Sequence, residues 1–124
     1  MPYTITPEAG YLRAVLAERQ GPQETREFLE AIKQEGDRLR LYRVLLTVVR
    51  STPIFTVEDY GLSESLDAAR ERRAKVAITS DSREVCLSQQ YVETLARMKG
   101  VNLRAFTSES EALRWLKAES MAKL

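Results

Sequence analysis

The fold is decided by the run Arg43-Val44-Leu45-Leu46-Thr47-Val48-Val49, which is rich in β-branched and aliphatic residues. A continuous apolar run of this length is typical of a strand that is covered on both faces. Pro53 follows it, and because proline offers no N–H donor and restricts the residue before it, the strand is predicted to end there. Residues 75–79 and 102–106 have a similar character and predict two further strands.

Helical patterns occupy the intervals on either side of the central run. Apolar residues at helical spacing predict one helix over residues 23–35, which Gly36 ends as a C-terminal cap, and another over residues 57–72. A third helix is predicted to start near Ser88, or earlier if Asp81 and Glu84 form a capping box. A final helix follows a capping box that begins at Ser108.

The N-terminal part of the chain predicts a hairpin. Residues 3–6 form a short extended segment, residues 7–10 are turn-forming, and residues 11–18 alternate as a buried strand does. The predicted order is therefore β-β-α-β-α-β-α-β-α. Right-handed crossovers then give an α/β fold, with a mostly parallel five-stranded sheet, one antiparallel edge strand and helices on both faces. The edge strand at residues 3–6 could pair with a second copy, which predicts a homo-oligomer.

Composition and charge limit the class of protein. With 124 residues, we expect one domain over residues 1–124, in which residues 118–124 fray. Basic and acidic residues nearly balance at a net charge of +1, so no nucleic-acid partner is predicted. No apolar run is long enough for a transmembrane segment, and the N-terminus does not resemble a signal peptide. Together with the single cysteine, this predicts a cytoplasmic protein.

The sequence contains no histidine, the commonest general base and a frequent metal ligand. We therefore expect no metal, no cofactor and no catalytic residue of a conventional kind. Cys86 is the one candidate nucleophile, and without a histidine its activation would require an arginine or a helix N-terminus. A small buried side chain is the simpler interpretation of this cysteine.

The C-terminal part of the chain resembles a known family. The stretch from Arg97 to Phe106, and then Ser108-Glu109-Ser110-Glu111-Ala112-Leu113-Arg114-Trp115-Leu116, is similar to the end of a STAS domain, the fold of anti-sigma-factor antagonists. The closest likeness is to the bacterial STAS-like group that is distantly similar to CRAL-TRIO lipid-binding domains. The resemblance spans nearly the whole chain and implies a regulatory module or a carrier of a lipid-like ligand.

One position of this resemblance concerns regulation. STAS antagonists carry a phosphorylatable serine at the start of the second helix, where this chain has Asp59 and Tyr60. The resemblance thus places the family's phospho-switch at Asp59 and Tyr60 and implies that the switch serine is missing. An acidic residue in a first helical turn is also expected from the helix dipole alone.

Polar residues follow two of the predicted strands. They are Arg50, Ser51 and Thr52 after the central strand and Ser80, Asp81 and Ser82 after the next. In open α/β sheets, ligands favour the crevice beyond the carboxyl ends of the strands, at the point where the strand order reverses. These six residues are therefore predicted to form a ligand-binding rim suited to an anion. The alternative is that they only cap helices and solvate loops.

The sequence leaves three functions open. The first is a non-catalytic STAS-like binding or regulatory module with a protein partner. The second is a carrier or sensor of a small apolar or anionic ligand, held between the helices and the sheet. The third is an enzyme that uses an aspartate, an arginine or Cys86. A cavity between sheet and helices would favour the second over the first, and a core packed solid would exclude a lipid-like ligand.

Overall fold

The computed structural model describes residues 3–18, 22–50 and 62–118. Their elements follow the predicted order β-β-α-β-α-β-α-β-α. The strands are β1 (Tyr3–Glu8), β2 (Tyr11–Ala17), β3 (Arg43–Val49), β4 (Lys75–Ser80) and β5 (Asn102–Ala105). The helices are α1 (Pro22–Leu39), α2 (Leu62–Glu71), α3 (Arg83–Met98) and α4 (Glu109–Lys117).

The five strands lie in one sheet in the order β1-β2-β3-β4-β5. β1 pairs with β2 antiparallel, and each later strand pairs with the one before it in parallel. This confirms the predicted fold class, including the single antiparallel strand at an edge of the sheet. The pairing of that edge with a second copy stays a prediction.

The strand order decides where the helices lie. Right-handed crossovers between successive neighbouring strands all pass over the same face of the sheet. Consistent with this, α1 packs on Leu12, Ala14 and Leu16 of β2, and Leu103 of β5 packs on that face against the cluster of α2 and α3. α4 returns after β5 and packs on the opposite face, against Leu45 and other buried residues. In the described part of the chain both faces therefore carry helices, three on one and one on the other.

The centre of the face beneath α4 is closely packed. Leu45 and Ala77 of the sheet and Ala112 and Leu116 of α4 are all fully buried. Lys75 closes the C-terminal end of α4, because its Nζ donates to the carbonyl oxygens of Trp115 at 2.6 Å and of Ala118 at 3.1 Å. Burial lowers the pKa of Lys75 below its usual value, with a further contribution from the positive charge of Arg43.

Three element boundaries differ from the predictions by two residues or more. β1 runs on to Glu8, so the turn is shorter than predicted and Gly10 supplies its left-handed residue at φ 86°. Gly36 does not end α1, which continues to Leu39. α3 begins at Arg83, earlier than Ser88, and its N-cap is Ser82, whose hydroxyl accepts from the Val85 N–H.

The second predicted helix is described only from Leu62 onward, so its predicted start at residue 57 lies outside the described residues. The N-cap at Ser108 is confirmed, since its hydroxyl accepts from the Glu111 N–H at 3.4 Å. Within the described ranges, no helix has both the length and the apolar character needed to cross a membrane.

Candidate ligand-binding cavity

A cavity lies over β3 on the face that carries α1, α2 and α3. α1 packs on β1 and β2, whereas α3 packs on β4 and β5. Neighbouring strands are about 4.8 Å apart, so two helices centred on these strand pairs are separated by about 14 Å. Packed helices approach to about 8–10 Å. α1 and α3 therefore leave a gap above β3.

α2 spans this gap instead of filling it. It contacts α1 on one side, and on the other its Leu66 packs with Ala96 of α3. Beneath it, Leu46 of β3 and Val76 of β4 are only half-buried, although both lie in the middle of the sheet. A half-buried aliphatic side chain at such a position is unusual, since central strands of a parallel sheet are normally covered on both faces.

The cavity has a volume of about 230 Å³. It runs from the carboxyl ends of the strands, at Leu16, Val48 and Ile78, to their amino ends, at Leu41 and Ala74. Its lining is mainly aliphatic. From the helices it includes Phe28, Leu29, Ile32, Leu66, Ala68, Ala69, Val85 and Val92.

Three buried polar side chains lie at the carboxyl end of the cavity, where Glu64 and Ser65 of α2 also line it. Thr25 is in the first turn of α1, and Ser88 and Gln89 are in the second turn of α3. All three are buried. The Ser88 hydroxyl donates to the Val85 carbonyl at 2.9 Å, and Gln89 Nε2 donates to the Thr79 carbonyl at 2.8 Å. Thr25 Oγ1 and Gln89 Oε1 find no hydrogen-bond partner in the described part of the chain.

At the amino end, an ion pair joins α1 to the residue that follows α2. Arg72 lines the cavity and donates from Nε and Nη2 to the two carboxylate oxygens of Asp37, at 2.7 and 2.9 Å. The Tyr42 hydroxyl donates to the same carboxylate at 3.2 Å. The hydrogen bonds from Arg72 hold the pKa of Asp37 below its usual value, and the bond from Tyr42 acts in the same direction. This pair ties together the two helices that flank that end of the cavity.

The predicted binding rim lies at the carboxyl edge of the sheet, and its described residues form hydrogen bonds with one another. The Arg50 N–H donates to both carboxylate oxygens of Asp81, at 3.2 and 3.3 Å. Ser80 Oγ donates to the Ser82 carbonyl at 2.8 Å and accepts from the Ser82 N–H at 3.0 Å. Ser51 and Thr52 of the same prediction lie outside the described residues.

These contacts bond Arg50 to Asp81 and Ser80 to Ser82 at the carboxyl ends of β3 and β4. Ser82 also caps α3. Asp81 is itself one of the residues predicted to bind an anion, and a carboxylate repels a negatively charged ligand. The strand order does not reverse between any of the described strands, so the crevice that such a reversal creates is not formed there. Binding of an anion by this rim stays a prediction. Asp59 and Tyr60, the predicted switch position, also lie outside the described residues.

The residues that line the polar end of the cavity were not singled out from the sequence. The signal was present, because Thr25, Phe28, Leu29 and Ile32 recur at the spacing of one helical face. Val85, Ser88, Gln89 and Val92 do the same in α3. A threonine or glutamine within an apolar stripe is the pattern that marks a buried polar group.

Among the described residues, no three histidine, cysteine, aspartate or glutamate side chains lie close enough together to hold a metal ion. Comparison of the chain with models of protein families, with curated proteins and with solved structures finds no match. The STAS-like resemblance therefore stays a prediction from the sequence.

Proposed function

We propose that the chain is a non-catalytic binding module whose ligand is a small, mainly apolar molecule held between the sheet and helices α1 to α3. The observation that carries this proposal is the cavity of about 230 Å³ over β3. It corresponds to the carrier or sensor that the sequence leaves open as its second function. A regulatory role toward a protein partner stays a prediction.

The size of the cavity limits the ligand. A cavity of about 150 Å³ lined by aliphatic and aromatic side chains holds benzene, which amounts to about 25 Å³ for each non-hydrogen atom. At the same ratio, this cavity accommodates a molecule of about nine non-hydrogen atoms. A full-length fatty acid is too large to lie wholly inside it.

The lining favours an apolar occupant. Water that reaches Leu46 and Val76 meets aliphatic surface with few polar partners. Replacing that water by an apolar molecule gains hydrophobic free energy of about 25 cal/mol for each Å² removed from water. Concave, mostly apolar sites with a few polar groups are the usual form of small-molecule sites in proteins.

The polar groups of the lining support binding rather than catalysis. The Ser88 hydroxyl directs its proton to a backbone carbonyl instead of to a base, so it is not arranged as an activated nucleophile. Glu30 and Lys33, which also line the cavity, approach each other at 3.4 Å as an exposed pair on α1. Neither contact sets up the nucleophile and base geometry that acyl or phosphoryl transfer requires.

The proposal is tested by filling the cavity. Val76→Phe places a ring on the helix face of β4, in the space that the ligand would occupy. Val15→Phe makes the same change on β2, where Val15 is half-buried on the opposite face. Titration with toluene, followed by amide chemical shifts, is expected to saturate in the wild-type protein and in Val15→Phe, with shifts in α1, α2 and β3.

In Val76→Phe, we expect affinity for toluene to fall by about tenfold or more while the spectrum remains that of a folded protein. A wild-type protein whose shifts do not saturate, or a Val76→Phe variant that binds as well as Val15→Phe, would contradict the proposal.

A further inference from the structure

The two edges of the sheet, β1 and β5, differ in what their outward main-chain groups bond to. At the β5 edge, the Phe106 N–H donates to the Ile78 carbonyl of β4 at 2.9 Å. Since main-chain groups alternate in direction along a strand, the N–H groups of Leu103 and Ala105 point away from β4. Leu103 donates to the carbonyl two residues before it at 3.0 Å, and Ala105 donates to Glu93 Oε2 at 3.1 Å. The chain itself therefore blocks this edge.

The direction of the main-chain groups in β1 follows from β2. The Glu18 N–H donates to a carbonyl of β3 at 3.0 Å. By the same alternation, Val15 and Arg13 direct their N–H groups toward β1 instead of β3. Their partners in β1 are Thr4 and Thr6. These two threonines therefore bond to β2, and the residues next to them face outward.

The outward groups of β1 belong to Tyr3, Ile5 and Pro7. Tyr3 and Ile5 each offer an N–H and a carbonyl, whereas proline offers only a carbonyl. No group in the described part of the chain bonds to them. The stretch from Tyr3 to Thr6 favours a strand and carries no charge, so it lacks the lysines that often shield an edge.

We propose that β1 pairs antiparallel with β1 of a second copy, so that two sheets join across a two-fold axis into one. Pro7 selects the register of this pairing. An axis at Ile5 or at Thr6 would place Pro7 opposite a carbonyl to which it cannot donate. An axis at Thr4 pairs Tyr3 with Ile5 of the second copy, so that the outward N–H and carbonyl groups of both residues are satisfied.

Helix α1 lies close enough to this edge to join the interface. It packs on β1 and β2, whose separation is about 4.8 Å, so two copies bring their α1 helices to about 10 Å from each other. That is the distance between packed helices. Phe28 lies beside Tyr3, with ring centroids 5.5 Å apart. The axis at Thr4 is about 3 Å further along β1, or about two residues along α1, which is close to the small side chain of Ala31.

The charges on this side of α1 oppose the contact weakly. At 3.6 residues per turn, Glu24, Glu27, Glu35 and Arg38 lie on the same side of the helix as Ala31. Across the axis, Glu24 lies opposite Arg38 of the second copy, whereas Glu27 lies opposite Glu35. Acidic groups therefore outnumber basic ones, and salt is expected to strengthen the association because it screens exposed charges.

The test uses Thr4 and Thr6, which are both exposed on the face of β1 away from α1. In this register Thr4 meets Thr4 of the second copy in a pair with Cα atoms about 4.5 Å apart, while Thr6 lies beyond the paired residues. Like charges in such a pair repel, so we expect Thr4→Lys to raise the dimer dissociation constant about fivefold. Thr6→Lys, the matched control, is expected to change it by less than about twofold. Sedimentation equilibrium at protein concentrations up to about 1 mM measures both.

A charge exchange locates the contact. Thr4→Glu alone is expected to weaken the dimer as Thr4→Lys does. An equimolar mixture of the two variants is expected to associate at least as tightly as the wild-type protein, because the opposed side chains then attract each other.

A wild-type protein that stays monomeric at about 1 mM would overturn the proposal and leave the edge to an extended segment of a different protein. Equal weakening by Thr4→Lys and Thr6→Lys, or a mixture that associates no more tightly than its components, would also overturn it, as would a dimer that dissociates when salt is raised. The interface does not involve the cavity over β3, so the proposed function and its toluene titration stand or fall separately.

Discussion

The two faces of the sheet are covered differently at the centre of β3 and β4. On one face a single helix of nine residues, α4, leaves Leu45 and Ala77 with no exposure at all. On the other face three helices leave Leu46 and Val76, their neighbours in β3 and β4, half-buried. Elsewhere on the three-helix face the sheet is well covered, since Val44, Val48 and Ile78 are buried, so the number of helices alone does not decide the exposure at the centre. Their spacing relative to the strands does, because α4 lies over the centre while α1 and α3 lie over the two sides.

The largest effect that separates the faces is expected from two adjacent leucines of β3. Leu45→Ala removes a fully buried side chain from beneath α4 and is expected to lower the free energy of unfolding by about 3 kcal/mol. Leu46→Ala removes the same atoms from a half-buried side chain that already borders a cavity, and we expect a loss of about 1 kcal/mol. Urea unfolding followed by circular dichroism measures both.

Both variants replace a leucine of β3 by alanine and so change the β-propensity equally. Each is therefore the control for the other. If Leu46→Ala cost as much as Leu45→Ala, the space over β3 would be filled by packed side chains, and the contrast between the faces would disappear. Addition of toluene is expected to stabilise the wild-type protein against urea, because a ligand that binds only the folded state raises its stability.

The fold could be read from the sequence because its signals are local. The apolar run at residues 43–49 and the capping serine Ser108 each specify an element with little help from the rest of the chain. The cavity could not be read in this way. It arises from the distance between α1 and α3, which depends on strand order, and the sequence does not state that β2 to β5 lie in consecutive positions.

The predicted boundary at Gly36 was wrong for a different reason. Glycine after an apolar stripe is usually a C-terminal cap, but here the left-handed cap residue is Arg40, at φ 55°. Gly36 is retained inside α1 because the Leu41 carbonyl oxygen lies 2.9 Å from where its Cβ would be. This approach is local, because the Leu41 N–H donates to the Gly36 carbonyl across the left-handed Arg40 as the chain leaves the helix. The sequence did not indicate that an arginine, and not the glycine, would take the left-handed position.

Gly36→Ala tests whether the three-helix face is loose throughout or only over β3. Alanine at an interior helix position is intrinsically about 1 kcal/mol better than glycine. Here the added methyl group must displace the Leu41 backbone, which is itself held by its N–H bond to the Gly36 carbonyl at 3.0 Å. We expect a net destabilisation of about 1–2 kcal/mol, as for overpacking elsewhere.

The matched control for this variant is the exposed position Gln34 in the same helix. Gln34→Gly compared with Gln34→Ala measures the intrinsic preference of α1 for alanine, by the same urea titration. If Gly36→Ala were stabilising by the same amount, the C-terminal end of α1 would be as loosely packed as the region over β3.

The smallest effect is expected at the ion pair between Asp37 and Arg72, which joins α1 to the residue after α2 at the amino end of the cavity. Hydrogen bonds from Arg72 make the pKa of Asp37 lower in the folded protein than in the unfolded chain. The stabilisation is therefore fully present above the unfolded pKa of about 4 and is lost as the pH falls through the folded value. Asp37→Asn should lower the urea midpoint at neutral pH, and the difference from wild type should vanish in acid.

Glu35→Gln provides the control, because Glu35 pairs with Arg38 within α1 and its pKa is also lowered, chiefly by the hydrogen bond from that arginine. Both variants lose an ion pair of α1, but only Asp37→Asn releases α2. Amide hydrogen exchange in α2 is therefore expected to accelerate in Asp37→Asn and not in Glu35→Gln. Equal exchange in the two variants would mean that α2 is held over β3 by its apolar contacts with α1 and α3 alone, and that the cavity keeps its roof without the ion pair.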